Sequence, residues 1–307
     1  MAATRSASES ETALQRAITA HPRLFEENRY VYPVVSRRAG GMSIGVNLNP
    51  DKICNFDCIY CQVDRTVPPL YREVDMDRLE RELRSLLESA RSGALFAHPR
   101  FSALPDRLKR INDIAFSGDG EPTAYPRFRE AVERAAAVKQ EMGLRDVKII
   151  AITNATRFHR PDVQAALEIM HRNNGEIWAK LDAGTPAYYG RVERTRIPFE
   201  RIVENLRIAA VRWPLVIQSL FMRIQGEAPP PEEIRAYGDV LLGILESGGR
   251  LKLIQIHTVA RPPAEAYVTA LSDGEVDRIG ALVRERLPAV PVEVTYGPKP
   301  DAQNLTC

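Results

Sequence analysis

Cysteine is nearly absent from this chain. There are four in 307 residues, three clustered and one at the extreme C-terminus, which do not make a disulfide framework, and this predicts a reducing, cytoplasmic location. Long apolar runs are missing too. None approaches the ~20 residues needed to cross a bilayer, so no membrane association is expected. Residues 1–20, rich in Ser, Thr, Glu and Ala, carry no apolar segment of the signal-peptide kind. Neither charge sign dominates: 42 Lys and Arg face 40 Asp and Glu, a formal net charge of +2. That balance excludes a strong field for nucleic acid or membrane over the whole surface. Only short basic runs stand out, at Arg37-Arg38, at Arg107 with Lys109-Arg110, and at Arg191, Arg194 and Arg196. Low-complexity linkers and composition breaks are also lacking. The expected organisation is therefore an N-terminal extension over 1–34, one core domain over 35–300 and a tail over 301–307.

What is present alternates. Short apolar runs predict strands over 41–49, 111–117, 147–154, 177–182, 215–222 and 251–258, with one further strand over 292–296. Between them lie amphipathic stretches that predict helices over 75–90, 126–142, 161–171, 199–211 and 231–245. A last helix starts at the capping box Ser272-Asp-Gly-Glu275 and runs to 287. Regular βα alternation makes a parallel sheet, and six units predict an α/β fold of the partial (βα)6 TIM-like barrel type. Residues two apart share a strand face. One face carries Gly45, Asn47, Asn49, Asp113, Ser117, Lys180, Asp182, Gln255 and His257, and the other is apolar. The apolar face should pack on helices and the polar one should line the site, at the C-terminal strand ends where barrels keep their chemistry.

Three of the four cysteines lie in one loop, Cys54-Asn-Phe-Asp-Cys58-Ile-Tyr60-Cys61. A closed structural zinc site or a fully ligated four-iron cluster takes four protein ligands. Three thiolates leave a coordination position for a substrate, which reads as a reactive iron–sulfur site. The alternatives are a zinc knuckle completed by Cys307 or His257, and a loop that is merely structural.

The Cys-x3-Cys-x2-Cys spacing with aromatic Tyr60 resembles the signature of the radical S-adenosylmethionine superfamily. The resemblance implies that Cys54, Cys58 and Cys61 hold a [4Fe–4S] cluster whose fourth iron binds S-adenosylmethionine. It also implies one-electron cleavage to a 5′-deoxyadenosyl radical, fed by a low-potential donor such as flavodoxin or ferredoxin. Gly118-Asp119-Gly120-Glu121, at the end of the second predicted strand, resembles the superfamily's glycine-rich element that meets the methionine amino group. Asp119 stands where a second Gly is frequent. By the same resemblance Tyr60 and Asn154 position S-adenosylmethionine, with Asn154 closing the third strand.

Three further stretches resemble relatives of 4-demethylwyosine synthase: Ser43-Ile-Gly-Val-Asn-Leu-Asn-Pro50, Trp178-Ala-Lys-Leu-Asp182-Ala-Gly-Thr185 and Val259-Ala-Arg261-Pro262-Pro263. Lys180 and Asp182 are then the catalytic candidates, beside S-adenosylmethionine or substrate, or else a buried pair that only fixes the barrel. Gln218, Gln255 and His257 are candidates to face the substrate, Arg223 and Arg261 to grip an anion, and Tyr71 to help cover the site. With no cysteine before Cys54 and only Cys307 after Cys61, a second cluster is excluded. The substrate is left as RNA, protein or small molecule. A radical activase acting on a partner protein, and a non-catalytic iron–sulfur or zinc protein, are the alternative readings.

Overall fold

A computed structural model of the chain describes residues 23–36 and 40–297. The elements run β1 Val31–Ser36, β2 Gly41–Val46, α1 Met76–Arg91, α2 Ala94–Ala97, β3 Ile111–Phe116, α3 Phe128–Glu141, β4 Lys148–Thr153, α4 Pro161–Arg172 and β5 Gly175–Lys180. They continue with α5 Pro186–Glu193, α6 Phe199–Arg212, β6 Leu215–Leu220, β7 Arg223–Ile224, α7 Pro231–Glu246, β8 Leu251–His257, β9 Val268–Thr269, α8 Asp273–Arg286 and β10 Val292–Thr295. The main sheet has the order β1-β2-β3-β4-β5-β6-β8-β10, and β7 pairs with β9 in a small second sheet. The six strands of the expected βα units are β2 to β6 and β8. Pairing is parallel for β2 with β3, β3 with β4, β6 with β8 and β8 with β10. The chain divides into two compact units, the described part of 1–55 with 65–178, and 56–64 with the described part of 179–307.

In the first unit, α1 buries Met76, Leu79, Leu83, Leu86, Leu87 and Ala90, the stripe that its period predicts. Asp75 caps it by accepting from the N–H groups of Asp77 and Arg78. The same helix buries Glu82, whose carboxylate accepts the backbone N–H of Arg29 at 2.9 Å, Tyr30 at 2.9 Å and Val31 at 3.2 Å. Those bonds seat β1, which pairs antiparallel with β2 from Val31 opposite Val46 to Ser36 opposite Gly41. Val31 to Val34 lie within the range expected as N-terminal extension, and here they are sheet. The face assignment is visible at β3. Phe116 meets Phe128 of α3 edge-on at 5.7 Å, whereas Asp113 on the other face accepts a hydrogen bond from Ser43 of β2.

In the second unit, α8 carries the full Ser272–Glu275 capping box. Helix α5 has no counterpart among the expected elements. It is eight residues long, Pro-Ala-Tyr-Tyr-Gly-Arg-Val-Glu, too short for an apolar stripe to register. Thr185 caps it, and Glu233 of α7 holds the cap by accepting from Gly184 N at 2.5 Å, Thr185 N at 3.2 Å and Thr185 Oγ1 at 2.6 Å. Gly184 is required here because an added Cβ would stand 2.0 Å from the Tyr237 nitrogen.

Candidate active site

At the end of β3 the chain enters the turn Gly118 to Glu121. Glu121 is 3% exposed and accepts four hydrogen bonds. They come from Thr123 N at 3.0 Å, Thr123 Oγ1 at 2.5 Å, Thr153 Oγ1 at 2.6 Å and Asn154 N at 2.7 Å. Burial pushes its carboxyl upward, and the Asn154 and Thr123 donors pull it back. The glycines of this turn are needed for close packing within the unit. A Cβ on Gly118 would lie 2.2 Å from Asn47 Oδ1, and one on Gly120 would lie 2.1 Å from the Ile53 carbonyl. The turn is thus the floor on which the entry to the cysteine loop rests. Asp119 accepts from Asn47 Nδ2 at 2.7 Å and pairs with Arg23 at 3.4 Å.

Asn154 closes β4 and reaches back to the same loop. Its Nδ2 donates to Asn55 Oδ1 at 2.7 Å, and its Oδ1 accepts from Thr156 Oγ1 at 2.8 Å. Asn55 Nδ2 donates in turn to Thr156 Oγ1 at 2.7 Å, closing a triangle beside Cys54. Asn154, expected as a cofactor contact, is bonded to the loop through Asn55 and Thr156, partners that the sequence does not mark.

In the second unit, Cys58 and Cys61 are half-buried, and Cys61 N donates to the Cys58 carbonyl at 2.9 Å. Cys58 Sγ lies 2.6 Å from Glu193 Oε2 at the end of α5. Asp57 N and Ile59 N donate to the carbonyls of Glu193 and Val192, at 3.1 and 2.9 Å. Arg194 adds Nε to the Asp57 carbonyl at 2.7 Å. The end of α5 is therefore the clamp of this half of the loop, and nothing in its sequence announced it. Tyr60 Oη donates to Asp182 Oδ2 at 2.5 Å, Leu220 N donates to Asp182 Oδ1 at 2.7 Å, and Lys180 Nζ stands 3.2 Å from Asp182 Oδ2. Lys180 also sits 5.1 Å from the centre of the Tyr60 ring. The predicted Lys180–Asp182 pair exists, and the aromatic residue of the cysteine motif joins it. Burial pushes the Cys58 thiol and the Tyr60 hydroxyl up, helped by the acids Glu193 and Asp182. Burial and the neighbouring Asp182 do the same to the Glu193 carboxyl.

Other candidates disperse. Gln218 and Gln255 are buried side by side, with Nε2 to Oε1 at 3.4 Å. Arg223 is committed to Glu275 at 2.6 Å, and Arg194 of the third basic run to Asp57 and Glu265 at 3.0 and 2.5 Å. Tyr71 stacks under Arg29, 4.4 Å from its guanidinium carbon. Arg37-Arg38 and Cys307 lie outside the described residues. No helix among the described residues is long and apolar enough to cross a membrane.

The radical SAM superfamily model matches residues 48–235, from just before the cysteine loop into α7. The chain belongs to that superfamily, whose members bind a [4Fe–4S] cluster and S-adenosylmethionine. It is 33% identical over 262 residues to the UPF0026 protein of Methanocaldococcus jannaschii, covering 82% of this chain and 70% of that one. To the UPF0026 protein of Helicobacter pylori strain 26695 it is 26% identical over 227 residues, covering 72% of this chain and 59% of the relative's length. Among solved structures, a radical SAM methyltransferase from Sphaerobacter thermophilus aligns at a TM-score of 0.58 with 14% identity, over 87% of this chain and 69% of that chain. TYW1 with a lysine–pyruvate adduct bound aligns at 0.52 with 14% identity, over 89% of this chain and 81% of that chain. These likenesses show the fold, the expected α/β partial barrel.

Proposed function

We propose that this chain is an enzyme that cleaves S-adenosylmethionine reductively and passes the unpaired electron to a substrate by hydrogen-atom abstraction. The observation that carries the reading is the Cys54, Cys58, Cys61 loop inside the matched region, with none of the three thiols tied in a disulfide. The donor set fits the group: soft thiolates on one short loop suit a [4Fe–4S] cluster, and three of them leave one iron for S-adenosylmethionine. When bound, the cluster supplies the low-potential electron that breaks the carbon–sulfur bond.

The chain's own residues hold and orient. Asn154, Asn55 and Thr156 fix the Cys54 side of the loop, and Val192 to Arg194 fix the Cys58 side. Tyr60 and the Gly118 to Glu121 turn with Asp119 and Gly120 orient S-adenosylmethionine, Glu121 by keeping the turn in shape. Lys180, 18% exposed, and Asp182 are the residues we assign to the substrate side. The electron comes from a soluble low-potential donor of the flavodoxin or ferredoxin kind, as superfamily members generally require.

The test is anaerobic reconstitution with iron and sulfide, followed by dithionite and S-adenosylmethionine. Formation of 5′-deoxyadenosine that Cys58→Ala abolishes supports the reading. A colourless protein carrying stoichiometric zinc, or a fully iron-loaded one that leaves S-adenosylmethionine intact, refutes it.

A further inference from the structure

The proposed S-adenosylmethionine turn has a partner that no motif contains. Arg23, eight residues ahead of β1, reaches the Gly118 to Asp119 turn with its guanidinium. Nε stands 3.4 Å from Asp119 Oδ1, Nη2 donates to the Gly118 carbonyl at 3.4 Å, and Nη1 donates to Tyr32 Oη at 2.5 Å. The guanidinium carbon lies 5.1 Å from the centre of the Tyr32 ring. Tyr32 in turn donates its hydroxyl to the Ser117 carbonyl at 2.7 Å. Its ring occupies the space that a side chain at position 45 would need, since a Cβ on Gly45 would stand 2.4 Å from it. From the opposite side Asn47 Oδ1 accepts from Asp119 N at 3.2 Å while its Nδ2 holds the Asp119 carboxylate. Consecutive carbonyls of the turn are thus capped by Tyr32 and Arg23, and the Asp119 side chain is shared between Asn47 and Arg23.

This arrangement explains why an aspartate stands where a second glycine is frequent. A glycine there would give the Arg23 guanidinium no carboxylate to meet. An isolated ion pair of partly exposed groups is worth little. Here the Asp119 carboxylate is only 15% exposed and the cation is held by three partners at once, so its geometry is specified.

We infer that Arg23 is a positioning residue for S-adenosylmethionine, acting through Asp119 and the Gly118 carbonyl to hold the turn in its binding shape. The inference rests on the assignment of that turn to S-adenosylmethionine. Arg23 does not touch the reacting atoms, and its loss should weaken binding without slowing chemistry at saturation.

Two measurements on the full chain separate the outcomes. In the first, equilibrium binding of radiolabelled S-adenosylmethionine to the anaerobically reconstituted protein is compared among wild type, Arg23→Ala, Arg23→Lys and Asp119→Asn. Arg23→Ala should bind about tenfold more weakly, with Arg23→Lys between it and wild type and an unchanged iron content. The double variant of Arg23→Ala with Asp119→Asn should be no weaker than the worse single variant. The kcat for 5′-deoxyadenosine formation in Arg23→Ala should stay within twofold of wild type while KM rises. In the second, amide exchange of the unreconstituted chain should quicken at Gly118 to Gly120 in Arg23→Ala, with the thermal midpoint preserved. Binding by Arg23→Ala that equals or exceeds wild type overturns the inference, as does unchanged exchange at the turn. If wild type itself binds no S-adenosylmethionine, the functional assignment fails, and with it this role for Arg23, whereas the exchange result still reports on the contact.

Discussion

Glu121 Oε2 accepts the backbone N–H of Asn154 at 2.7 Å, so one carboxylate fastens the turn after β3 to the end of β4. The two residues are 33 positions apart. Each belongs to the proposed cofactor set, and each is spoken for by the protein itself. The bond between them joins the turn after β3 to the backbone at the end of β4.

Glu121→Ala removes the acceptor from two backbone N–H groups and two hydroxyls. Each buried donor left without a partner costs about 1–3 kcal/mol. The urea midpoint should fall accordingly. Because burial raises the Glu121 carboxyl, the folded state binds more protons than the unfolded state above the ordinary glutamate value of about 4.3. This group's contribution is therefore fully present at low pH and declines as pH climbs from that value to the raised one. Glu121→Gln should flatten that part of the pH profile, read from denaturation midpoints between pH 4 and 8. An undiminished slope in the variant would assign it elsewhere.

Two glycines should respond in opposite directions to alanine. At Gly120 the new methyl meets the Ile53 carbonyl and Asn49, and backbone has to move. Overpacking of this kind costs about 1–3 kcal/mol, and displacement of the loop entry should also lower the iron bound on reconstitution. At Gly243, inside α7, nothing lies within 4 Å, and Gly243→Ala should stabilise by about 0.5–1 kcal/mol with iron content unchanged. Thermal midpoints and iron analysis of the two variants check this directly.

Glu82→Ala strips the acceptor from the consecutive N–H groups of Arg29, Tyr30 and Val31. β1, an edge strand, should loosen before the rest of the sheet. Hydrogen exchange is expected to quicken selectively over Val31–Ser36 while β3 and β4 stay protected. Uniform acceleration across the sheet would show that Glu82 supports the whole unit instead.

Asp182→Asn keeps the bond from Leu220 N but turns an amide donor toward Tyr60 Oη and Lys180 Nζ. Lys180 then loses its counter-charge, and a loss of about 2 kcal/mol is expected. Adding Lys180→Met should recover part of it, since paired residues couple by about 0.5–3 kcal/mol. Additive losses in the double variant would mean that the 3.2 Å pair contributes no interaction energy.

The strands and long helices were legible because their periods are local. The α1 stripe and the Ser272 capping box can be counted along the chain. Boundaries are less so: the second expected strand runs to 117 and the first to 49, whereas the regular strands end at Phe116 and at Val46. Beyond Val46, Asn47 Oδ1 turns back to accept from Asn49 N, a side-chain bond that competes with the ladder. β1 contains Pro33, which reads against a strand, and β7 and β9, two residues each, carry no period of their own.

What the amino-acid order determined by itself is the thiol set, since Cys54, Cys58 and Cys61 share one loop whatever the fold around it. It also determined the βα alternation and the residue types at the strand ends. Only the tertiary structure decided who holds them. Glu193 meets Cys58 from 135 residues away, Arg23 meets Gly118 from 95, and Glu233 meets Gly184 from 49. Such partners are selected by register, helix placement and loop closure, which couple positions that no local pattern relates. A carboxylate or guanidinium reads alike along the chain whether it ends in solvent or against the site; packing is what distinguishes them.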